Sequence, residues 1–419
     1  MPDVLDIAVV GCGVAGQAAS ILLADAGHEV TIFERFAEPQ PIGAGLLLQP
    51  TGLAVLRALG LADEAVARGA RIGGLESKTH RGRSVLDLRY ADLHPKTFGL
   101  GIHRSALFDL LHGRLLRSQA LLVTGAEIVD VAHGSLVDKQ GIRHGPFDLV
   151  IIADGAHSAL RTRLMPAARA PLYPWGCIWT TVPDLAGLGA AGLLRQRVRG
   201  TFEMMGLLPV GQGQMTVFWS LPVEALAPGK PLDLSAWRRA ASALWPEAAA
   251  IADHAAAADG FTRATYRHVA LPRWNLGPVL FIGDAAHGTS PQLGQGANLG
   301  LLDAHALARA LAESSSLDAA LALFARRRSS AVRFYRQASH LLTPFFQSRL
   351  APLGLLRDAF MGWGCHMPGL RPLMGSTLAG TRRGWLSSST LDSEGRYPLS
   401  APARPSGPVS ARNGQRNDA

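Results

Sequence analysis

The sequence predicts an α/β fold: a Rossmann-like domain of parallel strands with helices, an inserted and mainly antiparallel β-sheet domain, and C-terminal helices. Three observations predict it. The first 35 residues read as strand, glycine-rich turn, helix and second strand. Two later apolar strands end in Asp154-Gly155 and Gly283-Asp284. Between them, from about Pro171 to Pro272, the pattern changes to the alternations of antiparallel strands.

The elements follow in order. Residues 5–10 form an apolar run suited to a buried parallel strand. Gly11-Cys12-Gly13-Val14-Ala15-Gly16 follows at once, residues 17–26 have helical composition, and Gly27 is a natural helix stop. Residues 30–33 make the next strand, ending at Glu34. With 46 glycines in 419 residues, a GxGxxG spacing arises by chance about 0.5 times in such a chain. The strand before it, the helix after it and the acid at Glu34 give it meaning. Gly11 permits a tight turn, Gly13 lets a pyrophosphate approach the backbone, and Gly16 lets the helix pack on the strand. The helix start at Val14 and Ala15 offers free N–H groups to phosphates, and Glu34 offers a carboxylate to the hydroxyls of a ribose. That acid opposes a 2′-phosphate, so the first ligand is expected to be NAD or FAD; Arg35 packs over adenine or faces solvent.

Residues 70–100 suit antiparallel strands, and 105–118 a helix after Ile102-His103-Arg104. Residues 148–153 are a buried strand breaking into Asp154-Gly155-Ala156-His157-Ser158. Residues 202–210 and 215–220 flank Gly211-Gln212-Gly213-Gln214 as a hairpin, with a helix near 234–244. The α/β pattern returns at 279–282. A long helix starts near Gly296-Ala297-Asn298, with an apolar stripe of Leu299, Leu302, Ala306 and Leu307, and more helix runs to about Arg336. The division expected is a discontinuous nucleotide-binding domain (1–72, 100–168, 273–340), a substrate-binding sheet domain (73–99, 169–272), a C-terminal helical segment (341–386) and a disordered tail (387–419).

Composition excludes several classes. The chain is 48% hydrophobic and 17% charged, too apolar for a disordered protein. Its three cysteines, Cys12, Cys177 and Cys365, lack CxxC spacing, which disfavours zinc ribbons, disulfide scaffolds and dithiol redox sites, and no metal is expected. The net charge is +9, but the arginines are scattered and only four lysines occur. Arg326-Arg327-Arg328 reads as a solvated helix face, so no nucleic-acid partner is expected. With neither a basic leader nor an apolar run of membrane-spanning length, a cytoplasmic protein without transmembrane segments is expected, as monomer or homodimer.

Taken together, the separated motifs resemble the class A flavoprotein aromatic hydroxylases, the group built like p-hydroxybenzoate hydroxylase, from residue 4 to about 340. Gly11–Gly16 with Phe33-Glu34-Arg35 matches the family's first FAD fingerprint. Asp154 to Arg161 matches its DG motif. Gly283-Asp284-Ala285-Ala286-His287 through Pro291, Gly294-Gln295-Gly296-Ala297-Asn298 and Asp303 match its GD motif and following helix. His103-Arg104 looks like the family's His-Arg stretch, and Gly43-Ala44-Gly45-Leu46 with Pro50 like the loop beside the isoalloxazine. The resemblance implies that Asp284 binds the ribityl chain, Arg104 lies near the ribityl and phosphates, and Asp154 lies where pyridine nucleotide and flavin approach. It also implies that the turn from Gly294 to Asn298 directs N–H groups at the flavin pyrimidine edge.

The activity so implied is monooxygenation: NADH or NADPH reduces FAD, dioxygen adds to the flavin, and the hydroperoxide hydroxylates an aromatic or other hydrophobic small molecule. A flavin-dependent dehydrogenase or reductase of the polyprenyl reductase kind, a halogenase of the same fold, or a non-enzymatic flavin sensor are the alternatives. The halogenase WxWxIP signature is absent around Trp179-Thr180-Thr181-Val182-Pro183. Trp175, Trp179, Met204, Met205 and Trp219 are candidate pocket-lining residues. No pattern fixes a general base; His103, His287 and Tyr173 are the candidates. No second strand–GxGxxG–helix unit occurs, so nicotinamide is expected to visit the flavin transiently.

Overall fold

The computed structural model describes residues 4–40, 43, 45–258 and 260–399. Its first layer is a six-stranded sheet in the order Asn275–Leu276, Val279–Phe281, Leu149–Ile152, Asp6–Val10, Glu29–Phe33, Leu121–Val123. Every neighbouring pair is parallel except the first. Alternation along these strands sends Ile7, Val9, Leu149, Ile151 and Leu280 to one face and Ala8, Val10, Val150, Ile152 and Phe281 to the other. Both faces are covered, which is why the strands read as unbroken apolar runs. Helices Val14–Asp25, Arg104–Leu116 and Gly296–Glu313 pack on the first face. On the second lies a three-stranded sheet, Ile128–Ala132, Ser135–Asp138 and Arg143–His144.

The second layer is a seven-stranded sheet: Thr262–Arg267, Leu172–Pro183, Gln214–Pro222, Glu203–Gly211, Leu193–Arg199, Gly74–Thr79, Ser84–Arg89. It is antiparallel except where Leu193–Arg199 meets Gly74–Thr79. Ile178, Met205, Leu207, Val217 and Trp219 point to one face, under helices Leu234–Leu244 and Ala249–Ala258. Met205 and Trp219, two of the candidate pocket-lining residues, are buried in this core. Their outward register is set by the two-residue period, and the helices above need bulky apolar partners. Met204, on the opposite face, is also core, packed with Leu47, Val210 and Phe346.

A small sheet of Gly45–Leu48, Gly99–His103 and Ala70–Ile72 joins the layers. A Cβ at Gly101 would lie 2.0 Å from the Pro209 carbonyl, so only glycine allows this approach.

Helices Leu317–Leu342, Ala351–Gly364 and Leu370–Leu378 complete the chain. The expected disorder from 387 does not hold up to Leu399. Glu394 pairs with Lys96 at 2.9 Å, the Thr97 hydroxyl donates to Gly395 O, and Tyr397 and Leu399 pack on the first core. Two apolar anchors within a polar sequence were enough to fix it. Residues 400–419 lie outside the described residues.

The inner packing of the seven-stranded sheet is testable at Gly206, where an added Cβ would sit 1.8 Å from the Phe218 ring. Gly206→Val must displace that ring, and overpacking of this kind costs about 1–3 kcal/mol. The expected result is a Tm several degrees lower; an unchanged Tm would show that Phe218 has room to rotate.

Candidate functional site

The parallel strands Asp6–Val10, Glu29–Phe33, Leu149–Ile152 and Val279–Phe281 all end at one edge of the first sheet, and the sequence motifs occupy the loops that follow. The chain goes one way from the first strand and returns on its other side at Leu149–Ile152, so a crevice opens between them. The glycine loop and the DG loop flank it. A Cβ at Gly11, whose φ is +106°, would lie 2.6 Å from Ala153 O; one at Gly16 would lie 1.9 Å from Gly11 O. Gly283 comes as close from the other side: its Cβ would be 2.9 Å from Ala15 Cβ. The three motif loops thus touch one another.

Gly13 behaves differently. A Cβ there would meet nothing within 4 Å. It is the N-cap of Val14–Asp25, and no side chain caps that helix. Open space in front of uncapped N–H groups is the geometry a phosphate needs. Glu34, 9% exposed, accepts from the backbone N–H of Cys12 at 2.9 Å and of Phe36 at 3.1 Å. Each oxygen keeps a second acceptor position for a ribose hydroxyl. Burial pushes the Cys12 thiol up to about 12, so it fills the loop as a neutral group. Arg35 lies over the Phe36 ring.

Asp154 sits in the crevice with Oδ1 buried and without a hydrogen-bond partner among the described residues. Burial raises its pKa, against Ser158, Arg161 and Arg35 nearby. Such an orphaned oxygen is costly unless a further donor meets it. Arg161 ties the DG loop to the GD loop, donating to Ala156 O at 2.8 Å and Ala285 O at 3.0 Å. It is a brace, 2% exposed.

Under the GD loop lies a buried ionic cluster. Asp303, with no exposure, accepts from Gly283 N at 2.9 Å, contacts His287 Nε2 at 2.6 Å and accepts from Arg328 Nε at 2.7 Å. Burial raises its pKa, but the opposing charges of His287 and Arg328 hold it below the usual carboxylate range. His287 therefore faces inward and is no base for a substrate. His103 is likewise engaged, capping the helix Arg104–Leu116 through Ser105 N, and Tyr173 donates to Gln347 O at 2.7 Å.

Asp284 stands exposed at the mouth, and its Oδ1 is 3.5 Å from where a Gly296 Cβ would lie. Burial lowers the pKa of Arg104, and the Asp284 carboxylate works the other way. The long helix Gly296–Glu313 starts without a side-chain cap, because Gln295 turns its amide to Thr377 O and Leu378 O. Asn298 is fully buried: it accepts from Gln49 N at 2.8 Å and donates to Leu47 O and Gly294 O. Its side chain fixes the Gly45–Leu48 strand to the turn at Gly294 (φ +60°), leaving only backbone to face a ligand. Pro291 opens the turn that leads there. Ala44 lies outside the described residues.

The inner face of the second sheet approaches these loops. Trp179 is under the Arg104 guanidinium, 5.2 Å from ring centroid to Cζ, and its Nε1 is buried without a hydrogen-bond partner among the described residues. Thr216 and Val210 lie against Gly45, whose Cβ would be 2.4 Å from Thr216 Oγ1. At the far end of Leu172–Pro183, beside Pro171, lies His268, which packs edge-on with Tyr173 and His340 and has both ring nitrogens buried without hydrogen-bond partners among the described residues. A lone histidine just past a strand end carries no spacing signal in the sequence.

A family described as FAD binding domain matches residues 4–338. The chain belongs to that family. The resemblance to the class A flavoprotein hydroxylases is borne out. The chain is similar to the aurachin C monooxygenase/isomerase of Stigmatella aurantiaca, 27% identical over 86% of this chain and 92% of that protein. It is 31% identical to the 3-amino-4-hydroxybenzoate 2-monooxygenase of Streptomyces cremeus, over 71% of this chain and 76% of that one. Its fold is that of Klebsiella pneumoniae HpxO, solved with FAD and uric acid, with a TM-score of 0.74 at 21% identity, covering 90% of this chain and 97% of that one. The crevice fits the cofactor: the open cradle at Gly13, the carboxylate of Glu34 and the orphaned oxygen of Asp154 suit an extended dinucleotide with hydroxyl donors.

Asp303→Asn leaves Arg328 and His287 buried beside a neutral amide. The expected loss at pH 7 is about 3–5 kcal/mol. Because the folded Asp303 has a depressed pKa, its contribution is present above the ordinary aspartate range and is lost as pH falls through the folded value. The stability gap between wild type and variant is therefore constant down to about pH 4 and narrows below it. Denaturant titrations across pH check this; a gap unchanged at pH 3 would mean that the aspartate is not ionised in the fold.

Proposed function

We propose that this chain is a single-component FAD monooxygenase that uses NADH or NADPH and dioxygen to hydroxylate an aromatic or other hydrophobic small molecule. The observation that carries the reading is the contact among the glycine loop, the DG loop and the GD loop at one strand edge, beneath the inner face of a second sheet. Hydroxylation is in keeping with the relatives, which are monooxygenases acting on ring compounds.

In this reading Gly11, Gly13 and Gly16 shape the loop, and Val14 and Ala15 give N–H groups to the pyrophosphate. Glu34 takes the ribose hydroxyls, and Arg35 stands beside the adenine. Asp284 and Arg104 hold the ribityl chain from opposite signs of charge. Asp154 receives a hydroxyl at its orphaned oxygen. Gly45, on one side, and Pro291, Gly294, Gly296, Ala297 and Asn298, on the other, bring backbone to the ring. Gly283 lets the GD loop approach closely enough to do so.

Bound FAD supplies the two-electron chemistry that links NAD(P)H to dioxygen and puts one oxygen atom on the substrate. The uncapped start of Gly296–Glu313 would hold the isoalloxazine with its N–H dipoles and favour negative charge there by about 1 kcal/mol. Trp179 and Phe218 on the sheet above keep water from the reacting face. The Trp179 N–H is the donor available to an oxygen of the substrate. Nicotinamide enters transiently. A reaction that draws on NADH or NADPH is expected in the cytoplasm.

Two outcomes are expected. Gly13→Val adds a side chain to open space, so the apoprotein keeps its Tm while flavin retention falls at least tenfold. A variant that keeps its yellow colour would remove Gly13 from the cofactor site. Substrate-stimulated NAD(P)H oxidation under labelled dioxygen yields a product carrying one labelled oxygen. A product reduced without dioxygen would replace the proposal by a reductase.

A further inference from the structure

The helix Ala351–Gly364 is packed inside out. Its inward side is marked by glycines: a Cβ at Gly354 would lie 3.2 Å from Gly200 C, and one at Gly362 would lie 2.4 Å from Ser84 O. Arg357 also turns inward, bonding Gly200 O and Phe345 O. Its bulky side chains point out: Leu355 is 74% exposed, Leu356 53%, Phe360 63% and Trp363 65%. At 100° per residue these four share an arc of about 140° that carries no charge. Leu350 and Phe202 extend the patch at the helix start. Scattered exposed leucines are ordinary, but a contiguous face of this size with an exposed tryptophan is a binding surface.

We propose that this face docks on the surface of an anionic phospholipid bilayer. Three observations choose that occupant. The rim is basic: Arg349 is exposed at one end and exposed Arg83 donates to Ala359 O alongside, while the one acid of the segment 349–386, Asp358, is bonded to Arg357. A second copy would bring the same arginines face to face in a twofold contact. Residues 400–419 contain one large apolar side chain, Val409, and three arginines, and so cannot cover the face by themselves. An apolar helix face with a tryptophan and a cationic rim is what an interfacial helix needs, with its apolar side in the acyl boundary and its arginines at the headgroups. No helix among the described residues is long and apolar enough to cross a membrane. The docking is peripheral. A recess of about 460 Å³ bordered by Trp175, Phe202, Trp219 and Arg349 opens from the edge of the patch. A lipophilic molecule dissolved in the bilayer would meet it there.

The test uses the full-length, flavin-loaded protein and sedimented vesicles of phosphatidylcholine with or without one-third phosphatidylglycerol. Wild type is expected to sediment with the anionic vesicles, at least tenfold more than with phosphatidylcholine alone, and to be released by high salt. The triple variant Leu355→Ser, Phe360→Ser, Trp363→Ser is expected to lose at least tenfold of this binding while its flavin content and circular dichroism stay as in wild type. Brominated lipid should quench part of the wild-type tryptophan emission, and Trp363→Phe should abolish that part, a readout that does not need the triple variant to fold. The proposal is overturned if wild type stays in the supernatant with anionic vesicles, if Trp363→Phe leaves the quenching unchanged, or if light scattering shows a wild-type dimer that the triple variant splits.

Discussion

The site depends on how closely backbone can approach backbone at the strand ends. Gly11 stands against the Ala153 carbonyl, Gly16 against Gly11, and both Gly283 and Gly300 against Ala15. At each point a side chain would push two loops apart. The loops belong to elements far apart in sequence, and the crevice between the first strand and Leu149–Ile152 exists only because they meet. The glycines act by subtraction: three spaces are closed so that a fourth, in front of Gly13, stays open at an uncapped helix start.

Closeness of this kind needs something to hold it, and the chain uses buried cations. Arg161 clasps the DG and GD loops through two carbonyls, and Arg328 with His287 holds Asp303, whose other bond fixes Gly283 N. Neither arginine reaches the crevice. A buried ion pair is a poor source of net stability beside a well-packed apolar alternative. Its use here is directional: a carboxylate with three partners at fixed angles sets the position of one amide, which apolar packing alone would leave free to slide.

The parts of this arrangement legible in the sequence are those with a period or a fixed spacing. The buried strands showed as apolar runs because both sheet faces are covered, and Gly11, Gly13 and Gly16 showed because a turn, a ligand approach and a helix contact impose three separate demands. Side-chain direction across the second sheet was harder to read. Trp179 and Trp219 are both aromatic residues in strands, but a register of one residue sends Trp179 to the cofactor side and Trp219 to the helices. Nothing local distinguishes them, since the choice depends on which face the helices Leu234–Leu244 and Ala249–Ala258 cover. His287 misleads for the opposite reason. It sits inside a motif associated with chemistry, yet its partner Asp303 is sixteen residues away and on the inner side of the helix.

The second sheet joins a helix-covered core to the loops at the strand ends of the first sheet. Each of its strands serves two environments at once, with Ile178, Met205 and Val217 filling a helix-covered core while Trp179, Thr216 and Phe218 turn to the loops. The helix-covered side fixes the register, and the other face carries a second core in which Val198, Met204, Leu208 and Val210 pack with Leu47 and Phe346. On that same face Gly206 yields its place to the Phe218 ring, while toward the loops the Trp179 N–H is buried without a hydrogen-bond partner among the described residues, so one register serves both packing and the crevice edge.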